Sequence, residues 1–139
     1  MAKLSRDDFA RLLAFRTDLR RFERWSQRQA KAVGLSPAQH QLLLAVKGHH
    51  DRRGPTVGEI AEYLLLRPHS AVELVDRAEA AGFVVRHRVD PDGRFVRVGL
   101  TPDGEKRLQS LSALHLDELK RLAPSLKHLT GGLGDGASK

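Results

Sequence analysis

The chain has no cysteine. Disulfides, thiolate metal sites and thiol-based redox sensing are therefore excluded together. It also lacks any uninterrupted apolar run of the roughly 18 residues that a membrane span requires. Hydrophobic residues make up 40 % of the 139 positions, but they fall in periodic segments. A soluble, single-lobed protein with no membrane partner is the expectation. The N-terminal MAKLSRDDF has neither the apolar stretch nor the small-residue cleavage site of a secretory signal, which makes the cytoplasm the expected location. The motifs of common catalytic sites are missing too: there is no HExxH, no GxSxG, no Walker-type phosphate loop and no GxGxxG. No enzyme activity and no cofactor are expected. His49, His50 and Asp51 come nearest to a metal site, but adjacent loop residues more often face water, so no metal is expected.

What the chain does have is positive charge. Lys and Arg number 24 against 17 Asp and Glu, a formal net charge of +7. Each phosphate neutralised by Lys or Arg releases condensed counterions, so such a balance favours a polyanionic partner, with nucleic acid ahead of an anionic membrane surface. A solubilising surface charge is the plain alternative.

Turn and cap signals divide the chain into a regular order of elements. Ser5 with Asp8 forms a capping box ahead of Phe9, Leu12, Leu13, Leu19, Phe22 and Trp25 at near-helical spacing, predicting a long helix from Arg6 to Ala32. Gly34 ends it. Ser36, Pro37 and Gln39 open a second helix around QLLLAV, and HHDRRGP, His49 to Pro55, is a polar loop. Thr56 with Glu59 caps a third, short helix, and Pro68 starts a fourth that Gly82 stops. Two short helices joined by a few residues are a helix-turn-helix candidate. Two strands follow, Phe83 to Val89 and Arg94 to Leu100, about an Asp90-Pro91-Asp92-Gly93 turn of type I composition. Val96, Val98 and Leu100 alternate with Phe95, Arg97 and Gly99, so the first set is expected inside and the second in water. Thr101 and Pro102 begin a last long helix expected to reach Pro124, with SLKHL as a short remnant before a disordered GGLGDGASK tail.

The resulting fold class is mainly α with a small β-hairpin wing: a winged helix-turn-helix flanked by N- and C-terminal dimerisation helices. The divisions are 1–34 for the N-terminal dimerisation helix, 35–100 for the DNA-binding lobe, 101–130 for the C-terminal dimerisation helices and 131–139 for the tail. On the fourth helix Ala71, Val72, Leu74, Val75 and Ala78 make an inner side, leaving His69, Ser70, Glu73 and Arg77 outward, with Arg67 at its start. These residue types can contact base edges or phosphates, although a solvated polar face would look the same. The hairpin favours the nucleic-acid reading. Arg86, Arg88 and Arg94 gather at its end, Asp92 is placed to hold an arginine, and a guanidinium on such a finger suits a narrow minor groove. Along the first helix Arg16, Arg20, Arg24 and Arg28 read as a solvated face. Apolar residues on the first and last helices, among them Phe9, Leu12, Leu111, Leu119 and Leu122, exceed what the small central module can cover. They predict a twofold homodimer.

The segment from Pro55 to Leu108, and more loosely LSPAQHQLLLAV from Leu35 to Val46, resembles the MarR-type (multiple antibiotic resistance) transcriptional regulators. SAVELVDR followed by EAAGFV is similar to the family's recognition helix and its exit, Asp92 and Arg94 match the wing's Asp-x-Arg motif, and LTPDG matches the start of its fifth helix. The chain departs from the pattern at Ala78, where leucine is usual, and at Gly93, where charge is common. The resemblance implies a dimeric regulator whose wing arginine, Arg94, enters the minor groove of double-stranded DNA. It also implies a small-molecule effector, often an aromatic acid, in a pocket near Phe15, Phe22, Trp25 and His40, residues that serve equally well as core. The expected function is a sequence-specific regulator, a repressor, on a pseudo-palindromic operator; the alternative is a winged helix module that binds protein.

Overall fold

The computed structural model describes residues 2–131, with side chains through residue 129. Its elements run α1 (Arg6–Ala32), α2 (Pro37–Gly48), α3 (Val57–Leu64), α4 (Pro68–Ala80), β1 (Val84–His87), β2 (Arg97–Leu100) and α5 (Pro102–Gly131). The predicted capping boxes form. Ser36 Oγ accepts from Gln39 N at 3.1 Å while Ser36 N donates to Gln39 Oε1 at 3.0 Å, and Thr56 with Glu59 repeats the arrangement on α3. Each box satisfies donors that a helix start would otherwise leave open.

Two compact units result, one from Ala30–Ser112 and the other from the described parts of Met1–Gln29 and Ala113–Lys139. In the first, α2, α3 and α4 pack on one another, with β2 against α2 and β1 against α4. Leu42, Leu43, Ile60, Val75, Val84, Val98, Leu108 and Leu111 fill its core. Leu111 is fully buried there, which corrects its expected place at a dimer surface: a side chain with no exposed area has none to offer a second copy. The second unit carries the opposite feature, apolar residues left in the open. Phe9, Leu12, Leu13, Leu19, Leu114, Leu116 and Leu119 are all exposed.

α4 ends as its sequence specifies. Gly82 takes φ +85°, Gly82 N donates to Glu79 O and Phe83 N donates to Ala78 O at 2.9 Å, which satisfies the last carbonyls and turns the chain into β1. The antiparallel pairs are Val84↔Leu100, Val85↔Gly99, Arg86↔Val98 and His87↔Arg97. Both strands are shorter than the alternation predicts. Between residues 88 and 96 side chains, not ladder bonds, hold the tip. A further difference lies in α5, which continues through Pro124 instead of stopping there. Proline removes one N–H and crowds the carbonyl four residues back, yet Pro124 is exposed, so water can take the carbonyl that the helix leaves. The tail expected at 131–139 lies outside the described residues from 132 onward.

Candidate nucleic-acid interface

Both elements singled out by the sequence belong to the Ala30–Ser112 unit. On α4, Ala71, Val75 and Ala78 face the core, while Arg67, His69, Glu73 and Arg77 are exposed and Ser70 is half-buried. Val72 departs from expectation. It is 42 % exposed and belongs to the outer face, one turn after His69, because burial of 71, 75 and 78 fixes the inner stripe one position away.

The wing tip is built by its own short contacts. Gly93 N donates to Asp90 O at 2.9 Å, closing the turn, and Gly93 takes φ +63°, a conformation that suits glycine. Asp92 then grips the residue two positions on twice: Arg94 N donates to Oδ1 at 3.1 Å and Arg94 Nε lies 3.2 Å from Oδ2. The Arg94 side chain still stands 72 % exposed. Arg88 Nη1 donates to Gly93 O at 2.7 Å, tying the outgoing strand to the turn. Arg86 has a different partnership. Its Nη1 reaches Glu79 Oε1 at 2.8 Å, its Nη2 reaches Asp76 Oδ1 at 2.6 Å, and its backbone N–H reaches Glu79 Oε2 at 2.9 Å. The two bonds to Glu79, the backbone one foremost, lower its pKa from the ordinary carboxylate value. Arg86 thus joins the wing to α4.

Sequence reasoning missed a third group, at the base of the wing. Arg97, expected in water, is 8 % exposed. Its Nε meets both oxygens of Asp90, at 3.2 and 3.0 Å, and its Nη1 donates to Gly54 O at 2.9 Å. Arg53 Nη1 reaches Asp90 Oδ1 at 2.8 Å and holds Asp51 through Nη2 at 2.8 Å, while His87 Nε2 donates to Arg53 O at 2.9 Å. The Arg97 bond chiefly keeps Asp90 below its ordinary pKa, and Arg53 does the same for Asp51. The outward face of β2 is covered because the α2–α3 loop returns along it: Val98 N donates to Pro55 O at 2.9 Å, and Thr56 bridges to Arg97. Strand alternation alone carries no signal for that covering loop. The run Asp51-Arg52-Arg53 was visible in the sequence, but its partner was not.

Beside this network lies a cleft of about 640 Å³, lined by Lys47, His50, Arg53, His87, Gly99 and Glu105 among others. His49 is buried there and does not face water: its Nδ1 is hydrogen-bonded to Tyr63 Oη at 2.8 Å, and its Nε2 lies 3.4 Å from Glu59 Oε2. Among the described residues no group of three or more His, Cys, Asp or Glu stands together to hold a metal.

In the other unit Phe22, Trp25 and His115 form an aromatic cluster, with ring centroids 5.9, 5.8 and 4.8 Å apart. Ser26 Oγ lies 2.7 Å from His115 Nε2. A cleft of about 620 Å³ runs past Phe22 and Trp25, rimmed by Arg21, Arg24, Arg28 and Arg121 with Asp18 and Glu118. Two of the four expected effector-pocket residues thus line one cleft. Phe15 is exposed on the same helix without lining it, and His40 is buried in the Ala30–Ser112 unit. Of the expected dimer residues, Phe9, Leu12 and Leu119 are exposed and Leu122 is half-buried. Among the described residues no helix is long and apolar enough to cross a membrane.

Residues 33–94 match the model of the MarR family. The chain is 29 % identical over 80 residues to the HTH-type transcriptional repressor MdtR of Bacillus subtilis (strain 168), a match covering 58 % of this chain and half the length of that relative. A MarR family protein from Bacillus stearothermophilus superposes with a TM-score of 0.75 at 21 % identity, over 99 % of this chain and all of that one. MepR, a transcription regulator of the Staphylococcus aureus multidrug efflux pump MepA, gives 0.72 at 20 % identity, over 90 % of this chain and 94 % of that one. The same protein bound to DNA gives 0.68 at 18 % identity, over 90 % and 92 %. The matched segment spans the winged lobe with its exposed α4 face and most of the hairpin tip, and over it the chain is similar to the MarR family of transcriptional regulators, whose solved members share its fold.

Proposed function

We propose that this protein represses transcription as a cytoplasmic homodimer bound to a pseudo-palindromic operator in double-stranded DNA. α4 lies in the major groove, with Arg67, His69, Ser70, Glu73 and Arg77 toward bases and phosphates, and the wing lays Arg94 in the adjacent minor groove. The observation that carries this reading is the exposure of Arg94 on a turn braced by Asp92, next to a helix whose polar face is uncovered. Arg88 supports the tip, whereas Arg86 is left out of the contact set because Glu79 and Asp76 already hold its cation. The DNA complex of MepR and the repressor MdtR support duplex DNA as the partner. α1 and α5 supply the dimer contact through their exposed apolar residues. An effector that relieves repression fits the cleft beside Phe22 and Trp25, where two aromatic faces and an arginine rim suit an aromatic anion.

Selection of bound fragments from random duplex DNA is expected to return a palindromic consensus with half-sites roughly 34 Å apart. On that duplex, Arg94→Ala is expected to weaken binding by roughly 5- to 150-fold in an anisotropy titration, the loss typical of about 1–3 kcal/mol for one groove contact. Affinity should also fall with salt by about 0.9 log units per phosphate contact for each log unit of salt. Unchanged affinity for Arg94→Ala overturns the wing role, and a flat salt profile overturns the DNA reading in favour of a protein partner.

A further inference from the structure

We propose that Arg97 is a positioning residue for DNA recognition: by clamping Asp90 to the α2–α3 loop it sets where the wing presents Arg94. The inference rests on the wing reading given above, since it concerns how the wing is aimed.

The first observation is that an arginine is 8 % exposed on a strand face that alternation assigns to solvent. Such burial is tolerated only where the guanidinium finds acceptors. Arg97 finds both oxygens of Asp90 and the carbonyl of Gly54, with Asp51 and Glu59 carboxylates each 4.0 Å from Nη1. It has no route to DNA of its own and must act through another residue.

Asp90 is that link. Its carboxylate is held by Arg97 and Arg53, while its carbonyl accepts Gly93 N and so begins the tip turn. Asp92, within the same turn, fixes the backbone and guanidinium of Arg94. Ladder pairing ends at His87↔Arg97, so no strand register controls residues 88–96. The clamp therefore joins the last paired residue to the first residue of the turn, across a stretch the sheet does not govern.

The other end of the clamp is firm. Gly54 lies so close to β2 that an added Cβ would stand 2.2 Å from Val98 O, and Val98 N donates to Pro55 O. A directional charge pair serves here where apolar packing would not, because a guanidinium held by Asp90 at Nε and by Gly54 O at Nη1 is fixed in orientation as well as in distance. Removing Arg97 alone leaves the Asp90 carboxylate buried with Arg53 as its remaining cation, which costs stability, so each variant's melt is read beside its affinity to separate folding from positioning.

The test uses the full chain with Arg97→Met, Arg94→Ala and the double variant, each titrated by anisotropy against the selected duplex and melted by circular dichroism. Arg97→Met is expected to melt below the parent, because Asp90 and Gly54 O each lose a donor, yet to remain folded at the temperature of the titration. It should lose roughly as much affinity as Arg94→Ala, and the double variant should bind no more weakly than Arg94→Ala alone, because the two changes remove one contact. Asp90→Asn should behave likewise. Losses that multiply in the double variant overturn the inference, as does parent affinity for Arg97→Met while Arg94→Ala binds weakly; both leave the wing reading standing. If Arg94→Ala binds like the parent, the wing reading and this inference fall together. Failure of both Arg97→Met and Asp90→Asn to fold assigns the pair to stability and overturns the positioning role.

Discussion

Leu65 ends α3 with φ 54° and ψ 44°, the left-handed region, and stands 91 % exposed. Leu66 N donates to Ala61 O at 2.9 Å, so Leu65 occupies the place in the cap where glycine is favoured. A β-carbon in that conformation costs about 1–2 kcal/mol, and an exposed leucine recovers none of it by burial. Leu65→Gly is therefore expected to raise stability by about 1 kcal/mol once glycine's greater freedom in the unfolded chain is counted. A denaturant titration checks this: a midpoint at or below the parent's would show that Leu65 makes a compensating contact. At this scale the sequence was legible wherever a residue answers to its own neighbours, as at Ser36, Thr56, Gly82 and the Asp90 to Gly93 turn. It was not legible where distant chain decides. Arg97 is buried by a loop more than 40 residues earlier in the sequence, which alternation cannot register. Val72 lies one position off the inner stripe, a difference that only the packing of α4 resolves.

Among the elements, α1 to α4 follow their caps closely, whereas the hairpin and α5 do not. The strands shorten because Asp90 turns its carboxylate toward Arg97 and Arg53, taking the chain out of the ladder two residues before the turn. In α5 the proline predicts a stop, but a stop also needs an alternative for the chain, such as the left-handed glycine that follows α4. No glycine stands near Pro124, and Leu122, Leu126 and Leu129 keep a half-buried helical stripe running past it. Pro124→Ala is consequently expected to strengthen α5, restoring one backbone bond to the Lys120 carbonyl and removing a penalty of up to about 3 kcal/mol for proline in a helix interior. Far-UV circular dichroism should show equal or greater helicity with a higher midpoint. A lower midpoint would mean that the proline shapes a contact α5 needs.

For the molecule as a whole, the exposed apolar residues and the net charge bear on one question, how the proposed homodimer would reach affinity for an operator. Phe9, Leu12 and Leu119 expose apolar surface that a second copy would cover, and burying it is favourable by about 25 cal/mol per Å². A dimer doubles the +7 charge of one chain and presents two copies of α4 and of the wing. In the proposed dimer, once the first lobe had bound, the second would meet its half-site as an intramolecular event, which raises affinity about 10²- to 10⁴-fold without any new kind of contact. Leu12→Glu with Leu119→Glu is expected to give monomers in sedimentation equilibrium. The pair should lower affinity for the full palindrome by at least about 100-fold and leave affinity for a single half-site nearly unchanged apart from the added negative charge. The half-site measurement separates the explanations, because a lobe damaged by the substitutions would lose affinity for both duplexes. Equal losses on the two, or a dimer that persists, would place the subunit contact elsewhere than on these faces of α1 and α5.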